Sequence, residues 1–128
     1  MDIPTDLRYT KSDEWVRREG EELVTGITQF ATEQLGDIVY IQLPEAGKSF
    51  NREASYGEIE SVKAVSDLYC PVAGEVVKAN EQLEQTPALI NEEPYGSGWL
   101  VRLRPDDPGA YDALLTADQY REAVEARS

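Results

Sequence analysis

The chain has 128 residues, enough for one domain around a single hydrophobic core. It contains 25 Asp and Glu against 12 Lys and Arg; this charge disfavours nucleic acid and anionic membranes, and it either favours partners with basic surfaces or serves solubility alone. With no histidine and one cysteine, it cannot form a Ser-His or Cys-His nucleophile pair or a zinc site of ordinary composition, so we expect a protein that is not an enzyme by itself.

Targeting and membrane signals are not visible in the sequence. No run of about 18 apolar residues is present, and the N-terminal region lacks a basic stretch followed by an apolar one. The single cysteine, Cys70, cannot form an internal disulfide, which fits a reducing compartment. We therefore expect a cytoplasmic protein that does not bind membranes.

Most of the chain reads as short strands separated by turns. Strands are predicted at "EELVTGI" and "DIVYIQL", which mix β-branched and aromatic residues. Between them, "TQFATEQLG" predicts about two helical turns with Thr28 as the N-cap and Gly36 at the end. Turns are predicted at "EAGKSF", "PVAGEV" and "PYGSGW" from their Gly and Pro residues.

A second helix is predicted near the C-terminus. In "TADQYREAVEA", Thr116 is followed three residues later by Gln119, the spacing of a capping box. Tyr120 and Val124 are four residues apart, so the helix should lay one apolar stripe on the body of the domain. We expect a single domain over 1–128, with a β body at about 9–104 and a helical tail at about 109–126.

A faint internal repeat relates two parts of the sequence. "GDIVYI" at Gly36 resembles "GEVVKA" at Gly74 with an offset of 38 residues, and "YGEIESV" at Tyr56 resembles "YGSGWLV" at Tyr95 with an offset of 39. Such matches indicate two similar β halves related by an approximate twofold axis. Lys63 would then lie at a hairpin tip after the last strand of the first half, with Ser66 and Asp67 capping the exit from the turn.

Four segments, in order along the chain, resemble the glycine cleavage system H protein family. They are "YTKSDEWV", "GITQFATEQLGDIVYIQLPEAGK", "ESVKAVSDLYCPVAGEVVKAN" and "LINEEPYGSGWLVRL". The resemblance implies a mainly β, hybrid barrel-sandwich domain of the lipoyl and biotinyl carrier type, with short helices that include a C-terminal one. It also implies that Lys63, at the tip of a hairpin, carries lipoic acid in amide linkage.

The function that the resemblance implies is that of a carrier in glycine catabolism and one-carbon metabolism. The lipoyl arm would receive the aminomethyl group of glycine from the pyridoxal-phosphate glycine decarboxylase (P protein) and pass it to the tetrahydrofolate-dependent aminomethyltransferase (T protein). Dihydrolipoyl dehydrogenase (L protein) would reoxidise the arm. A lipoate ligase or a lipoyl or octanoyl transferase would attach it.

Carboxylates near the arm are candidates for holding its cationic amine. We select Glu14, from the "DEW" match, and Asp67 by charge complementarity; the alternative for Glu14 is a solvated acid that precedes a buried Trp15. Two positions depart from the family pattern. Asp13 stands where the family usually has histidine, and Cys70 stands where it usually has alanine, which predicts a core role for this small side chain.

Other kinds of carrier fit the residues less well. A biotin carrier typically brackets its lysine with methionines, whereas Val62 and Ala64 flank Lys63 here. A lipoyl domain of a 2-oxoacid dehydrogenase would lack the "LINEEPYGSGWL" segment and the C-terminal helix. A lipoyl relay protein and an unmodified interaction module of the same family remain open alternatives.

Overall fold

The computed structural model describes residues 2–127, so Met1 and Ser128 lie outside the described part of the chain. The strands are β1 (Arg8–Tyr9), β2 (Glu14–Glu19), β3 (Glu22–Ile27), β4 (Ile38–Gln42), β5 (Ser49–Phe50), β6 (Ser55–Ser61), β7 (Val65–Tyr69), β8 (Gly74–Ala79) and β9 (Val101–Pro105). The helices are α1 (Gln29–Leu35), α2 (Gln82–Gln85), α3 (Leu89–Glu92) and α4 (Ala117–Arg127), with a 3₁₀ helix at Pro108–Ala113.

The strands form two antiparallel sheets. One has six strands in the order β1-β2-β3-β9-β8-β5, and the other has three in the order β4-β6-β7. Side chains from both sheets pack into one core, including Leu23, Ile59, Leu68 and Leu103, each at most 2% exposed. The prediction of a mainly β, hybrid barrel-sandwich domain with short helices, including a C-terminal one, is therefore confirmed. No helix among residues 2–127 has the length and apolar character needed to cross a bilayer.

Both predicted helices form with the predicted caps. The Thr28 hydroxyl accepts a hydrogen bond from the Ala31 amide, and Gly36 ends α1 with a φ of 81°. At α4 the Thr116 amide donates to Gln119 Oε1 at 3.0 Å, and the Gln119 amide donates to Thr116 Oγ1 at 3.3 Å. This reciprocal pair is the capping box that the sequence predicts.

The C-terminal helix packs over the N-terminal strands. Tyr120 and Val124 are buried as predicted, and the Tyr120 ring stacks on Tyr9 with 4.7 Å between the ring centroids. Around this pair lies a second cluster of buried side chains, which includes Leu7 and Trp15. Trp15 is fully buried in this cluster, with an exposure of 0%.

The first match of the internal repeat relates two equivalent strands, β4 and β8. β4 pairs with β6 and β8 pairs with β9, and a β-bulge interrupts each ladder, between Ile38 and Tyr40 and between Val76 and Lys78. These two bulges are 38 residues apart, which confirms the first match.

The second match of the repeat was wrong. Ile59 lies opposite Ile41, whereas Val101 lies opposite Ala79, so the partner strands correspond at an offset of 42 residues and not 39. Residues 95–98, which the match aligned with β6, form a turn. The second half places α2 and α3 between its two strands, and this insertion shifts the offset.

Tyr56 lies where β6 is irregular, since the β6–β7 register shifts between Ser55 and Gly57. Its side chain points into the core and is 5% exposed, and its ring packs edge-on against Phe50. Among the buried side chains of residues 2–127, its hydroxyl is the polar group that has no hydrogen-bond partner. A buried hydroxyl without a partner destabilises the folded state.

Replacing Tyr56 with phenylalanine should therefore leave the free energy of unfolding unchanged or raise it by about 1 kcal/mol. The matched control is Tyr120→Phe, because the Tyr120 hydroxyl bonds to both Thr28 and Asp13. That change should lower the free energy of unfolding by about 1 to 2 kcal/mol. Urea unfolding of both variants at pH 8 checks the pair, and equal losses of stability in the two would contradict it.

Candidate functional site

Lys63 lies in the turn between β6 and β7, as predicted. The turn is Val62–Lys63–Ala64, and it is closed by the Ser61 amide, which donates to the Ala64 carbonyl oxygen at 2.8 Å. The Ser61 hydroxyl oxygen accepts from the amides of Lys63 at 3.2 Å and of Ala64 at 3.1 Å. One buried serine thus holds the backbone of the lysine turn, and Ser66 and Asp67, which lie within β7, do not cap it.

The turn is also fixed to the rest of the domain. The Val62 amide donates to the Asp37 carbonyl oxygen at 3.0 Å. The residues on either side of Asp37 are held by Asn91, which accepts from the Ile38 amide at 2.9 Å and donates to the Gly36 carbonyl oxygen at 3.0 Å. Asn91 therefore positions the backbone on which the lysine turn rests.

The side chain of Lys63 is exposed and runs across Gly36. A Cβ atom at Gly36 would lie 3.2 Å from Lys63 Cε, so a larger residue there would displace the lysine stem. Gly36 also has a positive φ, which disfavours any other residue at the end of α1. Within residues 2–127, no side chain forms an ion pair or hydrogen bond with the Lys63 ammonium group.

Apolar side chains surround the exposed lysine. Val62 and Val65, on either side of the turn, are 66% and 63% exposed, and Val39 and Tyr40 on the neighbouring strand β4 are each 52% exposed. On the same face of the sheet, Glu60 lies between Tyr40 and Val65 in the strand pairing. The turn therefore presents an amine within an apolar and acidic surface.

A cleft of about 610 Å³ lies at the other end of β7. Its lining comprises Tyr9, Thr10, Lys11, Ser12, Glu14, Arg52, Glu53, Tyr69, Cys70, Pro71, Ala113, Leu114 and Leu115. Glu14 is 2% exposed, so the alternative of a solvated acid is wrong. Its Oε1 atom accepts hydrogen bonds from the hydroxyls of Thr10 at 2.6 Å and Ser12 at 2.7 Å.

Burial raises the pKa of the Glu14 carboxyl from its usual 4.5 to about 7. The hydroxyls of Thr10 and Ser12 and the backbone amide of Tyr69 oppose this rise in pKa, and the charge of Asp13 adds to it. Burial also raises the pKa of the nearby Cys70 thiol to about 11, with a further contribution from Glu14. The cleft therefore holds a carboxyl group that exchanges its proton near neutral pH.

Cys70 has the core role that its size predicts. It is 1% exposed within the main hydrophobic cluster, and its thiol donates to the Val72 carbonyl oxygen at 3.1 Å. At pH 8 its raised pKa keeps it in the thiol form, which is a poor nucleophile.

Strand β7 connects the lysine turn to the cleft. Every second side chain of β7 lies on its exposed face: Val65, Asp67 and Tyr69. Tyr69 also lines the cleft. At about 3.3 Å per residue, Asp67 lies roughly 7 Å and Tyr69 roughly 13 Å along the strand from Val65, where β7 begins. Glu14 is therefore in the cleft, whereas Asp67 is outside its lining, on the surface between the cleft and the lysine.

Four residues of the site were missed by reasoning from the sequence. Thr10 and Ser12 bond to Glu14, Ser61 holds the lysine turn, and Asn91 supports it. Thr10 and Ser12 lie in the "YTKSDEWV" segment, where two hydroxyls within four residues of a carboxylate were the available signal. Asn91 had no local signal, because its partners are 53 and 55 residues away.

Comparisons with known proteins agree on one family. A family model described as "Glycine cleavage H-protein" matches residues 7–127. The chain is 49% identical to the glycine cleavage system H protein of Magnetococcus marinus, covering 100% of this chain and 91% of the relative. It is 48% identical to that of Thermus thermophilus, covering 100% of both chains.

A solved structure shows the same fold. The crystal structure of a glycine cleavage system H protein from Mycobacterium marinum superimposes with a TM-score of 0.88 at 40% sequence identity. The match covers 96% of this chain and 99% of that one.

The raised pKa of Glu14 predicts a specific dependence of stability on pH. Below pH 4.5 the carboxyl is protonated in both the folded and the unfolded chain. Between pH 4.5 and about 7 the unfolded chain ionises first, so the free energy of unfolding falls, by up to about 3 kcal/mol. Urea unfolding across this interval should show the fall in the wild type and a smaller fall in Glu14→Gln.

The exposed Glu81→Gln variant is the control, since it makes the same change in net charge outside the cleft. Equal pH slopes for Glu14→Gln and the wild type would contradict the predicted protonation of Glu14.

Proposed function

This chain belongs to the glycine cleavage H-protein family, and we propose that it is a non-catalytic lipoyl carrier whose attachment residue is Lys63. The observation that carries the proposal is the position of this lysine. Its amine is exposed at the tip of a turn, and no described side chain engages it. The backbone beneath it is held by Ser61 and Asp37.

This arrangement fits a covalently attached lipoyl group. An exposed amine can enter the active site of an attaching enzyme, and amide formation removes its charge. The cofactor, once attached, supplies a strained disulfide that is readily opened and can accept the aminomethyl group of glycine. A fixed turn limits the volume that a tethered arm explores, which raises its effective concentration at a docked partner.

The protein itself would supply a binding site for the positively charged amine of the carried group. Ionised Glu14, oriented by the hydroxyls of Thr10 and Ser12, would bind the amine of the carried group within the cleft. Asp67 lies on the face of β7 between Lys63 and the cleft, where it can attract the same positive charge along the strand. Burial beside Tyr9 and Leu115 would limit the access of water.

The partners that fit this function are those of the glycine cleavage system. They are glycine decarboxylase (P protein), aminomethyltransferase (T protein), dihydrolipoyl dehydrogenase (L protein) and a lipoate ligase or lipoyl or octanoyl transferase. We place the cycle in the cytoplasm. The exposed apolar residues around Lys63 provide a surface on which such enzymes can dock.

Incubation with lipoate, ATP and a lipoate ligase should increase the intact mass of the protein by one lipoyl group. Lys63→Ala should abolish this increase, because no other amine is presented at the tip of this turn. Lys48→Ala and Lys78→Ala are matched controls, since both lysines are exposed and both variants should gain the full mass.

A folded wild type that gains no mass with an active ligase would contradict the carrier function and favour an unmodified interaction module. If the lipoylated protein does not support glycine decarboxylation, the lipoyl relay function is favoured instead.

If Glu14 binds the amine of the carried group, removing the charge of its carboxylate should make the loaded protein decay faster. At pH 8, Glu14→Gln should shorten the half-life of the aminomethyl-loaded protein by about tenfold, the loss of roughly one charge-assisted hydrogen bond. Asp67→Asn should have a smaller effect, because this residue lies outside the cleft. Ammonia release from purified loaded protein gives the half-life.

Glu53→Gln is the matched control, because this exposed carboxylate lines the same cleft. An unchanged half-life in Glu14→Gln would contradict the role of Glu14.

A further inference from the structure

The C-terminal helix α4 is hydrogen-bonded to Asp13, in the loop that precedes Glu14. Arg127 at the end of α4 donates from Nη2 to Asp13 Oδ1 at 2.6 Å and from Nη1 to Asp13 Oδ2 at 3.3 Å. The Tyr120 hydroxyl donates to Asp13 Oδ1 at 2.9 Å and also bonds to the Thr28 hydroxyl at 2.7 Å. Two residues of the helix therefore hold one carboxylate that is adjacent to Glu14.

The backbone of this loop is strained at Asp13. Its φ is 70°, a conformation that non-glycine residues rarely adopt. Its amide donates to the Thr10 carbonyl oxygen at 3.3 Å, and its own carbonyl oxygen accepts from the Thr28 amide at 2.9 Å. A residue in such a conformation persists where surrounding contacts fix it, and the Asp13 side chain supplies contacts of this kind.

The same loop sets the geometry of the Glu14 hydrogen bonds. The Glu14 amide donates to Thr10 Oγ1 at 3.2 Å, and the Thr10 amide donates to the Glu14 carbonyl oxygen at 3.0 Å. Thr10 and Ser12 then donate their hydroxyls to the Glu14 carboxylate. The position of the loop therefore determines whether both hydroxyls reach the carboxylate and how much water does.

We propose that Asp13 and Arg127 form a clamp that positions Glu14, so that the C-terminal helix controls the position and the solvation of the cleft carboxylate. Both are positioning residues, because they act through the loop. The Arg127 guanidinium and the Asp13 carboxylate share two charge-assisted hydrogen bonds, and this bidentate geometry fixes their relative orientation. The Arg127 guanidinium also lies over the Phe30 ring, 5.0 Å from its centroid, and this contact directs it towards Asp13.

Loss of the clamp has two opposite effects on the pKa of Glu14. If the loop loosens, water reaches the carboxylate and its pKa falls towards the usual value, since burial is the main cause of the rise. If the loop stays fixed, removal of the Arg127 charge leaves Asp13 uncompensated and the pKa of Glu14 rises further. The sign of the change therefore separates positioning from a simple charge effect.

Other charged and titratable groups around Glu14 stay in place in this comparison. Tyr56 and Cys70 lie close enough to Glu14 to interact with its charge, and Lys11, Arg52 and Glu53 line the same cleft. None of them contacts Arg127 through a hydrogen bond or ion pair among residues 2–127. Arg127→Ala therefore removes the bonds to Asp13 and the contact with the Phe30 ring, and it leaves the groups that line the cleft unchanged.

The test uses the full chain with Arg127→Ala, and with Arg121→Ala as the matched control on the same helix. The pKa of the Glu14 carboxyl is measured by carbon-13 NMR in the unmodified protein, so this readout does not depend on the lipoyl group. We expect a fall of about one unit for Arg127→Ala and no change for Arg121→Ala. Arg127→Lys keeps the charge, so its Glu14 pKa should lie between those of Arg127→Ala and the wild type.

Arg127→Ala should also shorten the half-life of the aminomethyl-loaded protein at pH 8, by about threefold. An unchanged or raised pKa of Glu14 would overturn the clamp. The half-life measurement rests on the proposed function, and the two ideas can fail separately. If the pKa falls while neither Arg127→Ala nor Glu14→Gln alters the half-life, the clamp stands and the role of Glu14 in holding the carried group is overturned.

Discussion

The hydrogen bonds of the Ser61 hydroxyl are the constraint on which the lysine turn depends. A hairpin with three linking residues leaves amides at its tip without a cross-strand partner, and this one oxygen accepts from two of them. The neighbouring bond from Val62 to Asp37 fixes the direction of the tip. Lys63 can therefore be exposed while its backbone is held, a combination that suits a tethered carrier.

The second feature of the site, the buried carboxyl of Glu14, works against stability. A carboxylate that is removed from water disfavours the folded state near neutral pH unless hydrogen bonds compensate. Here two hydroxyls supply part of that compensation, and the contacts of Asp13 hold the loop that presents them. An unfavourable group kept in place by several neighbours is a common signature of a functional site. The fold thus gives up some stability to keep a charge inside the cleft.

The sequence predicted those parts of the molecule whose interactions are local. Thr28 and Gly36 bound α1, and Thr116 and Gln119 begin α4, because caps act over three or four residues. The burial of Glu14 and the support from Asn91 depend on contacts between distant segments, which leave no local pattern. The second repeat match failed for a related reason, since α2 and α3 are single turns without a period that could reveal them.

The contacts between the two ends of the chain have a consequence for biosynthesis. Tyr9 pairs with Leu115, and Asp13 bonds to Arg127, 114 residues later. The segment around Tyr9 and Asp13 gains these partners only after residues 115–127 have been synthesised. Within residues 2–127, the hydrogen bonds that hold and support the lysine turn involve residues no later than Asn91. The contacts of the lysine turn can therefore form before residues 113–115, which line the cleft, and Arg127 have been synthesised. The order of synthesis thus favours the formation of the lysine turn before that of the cleft.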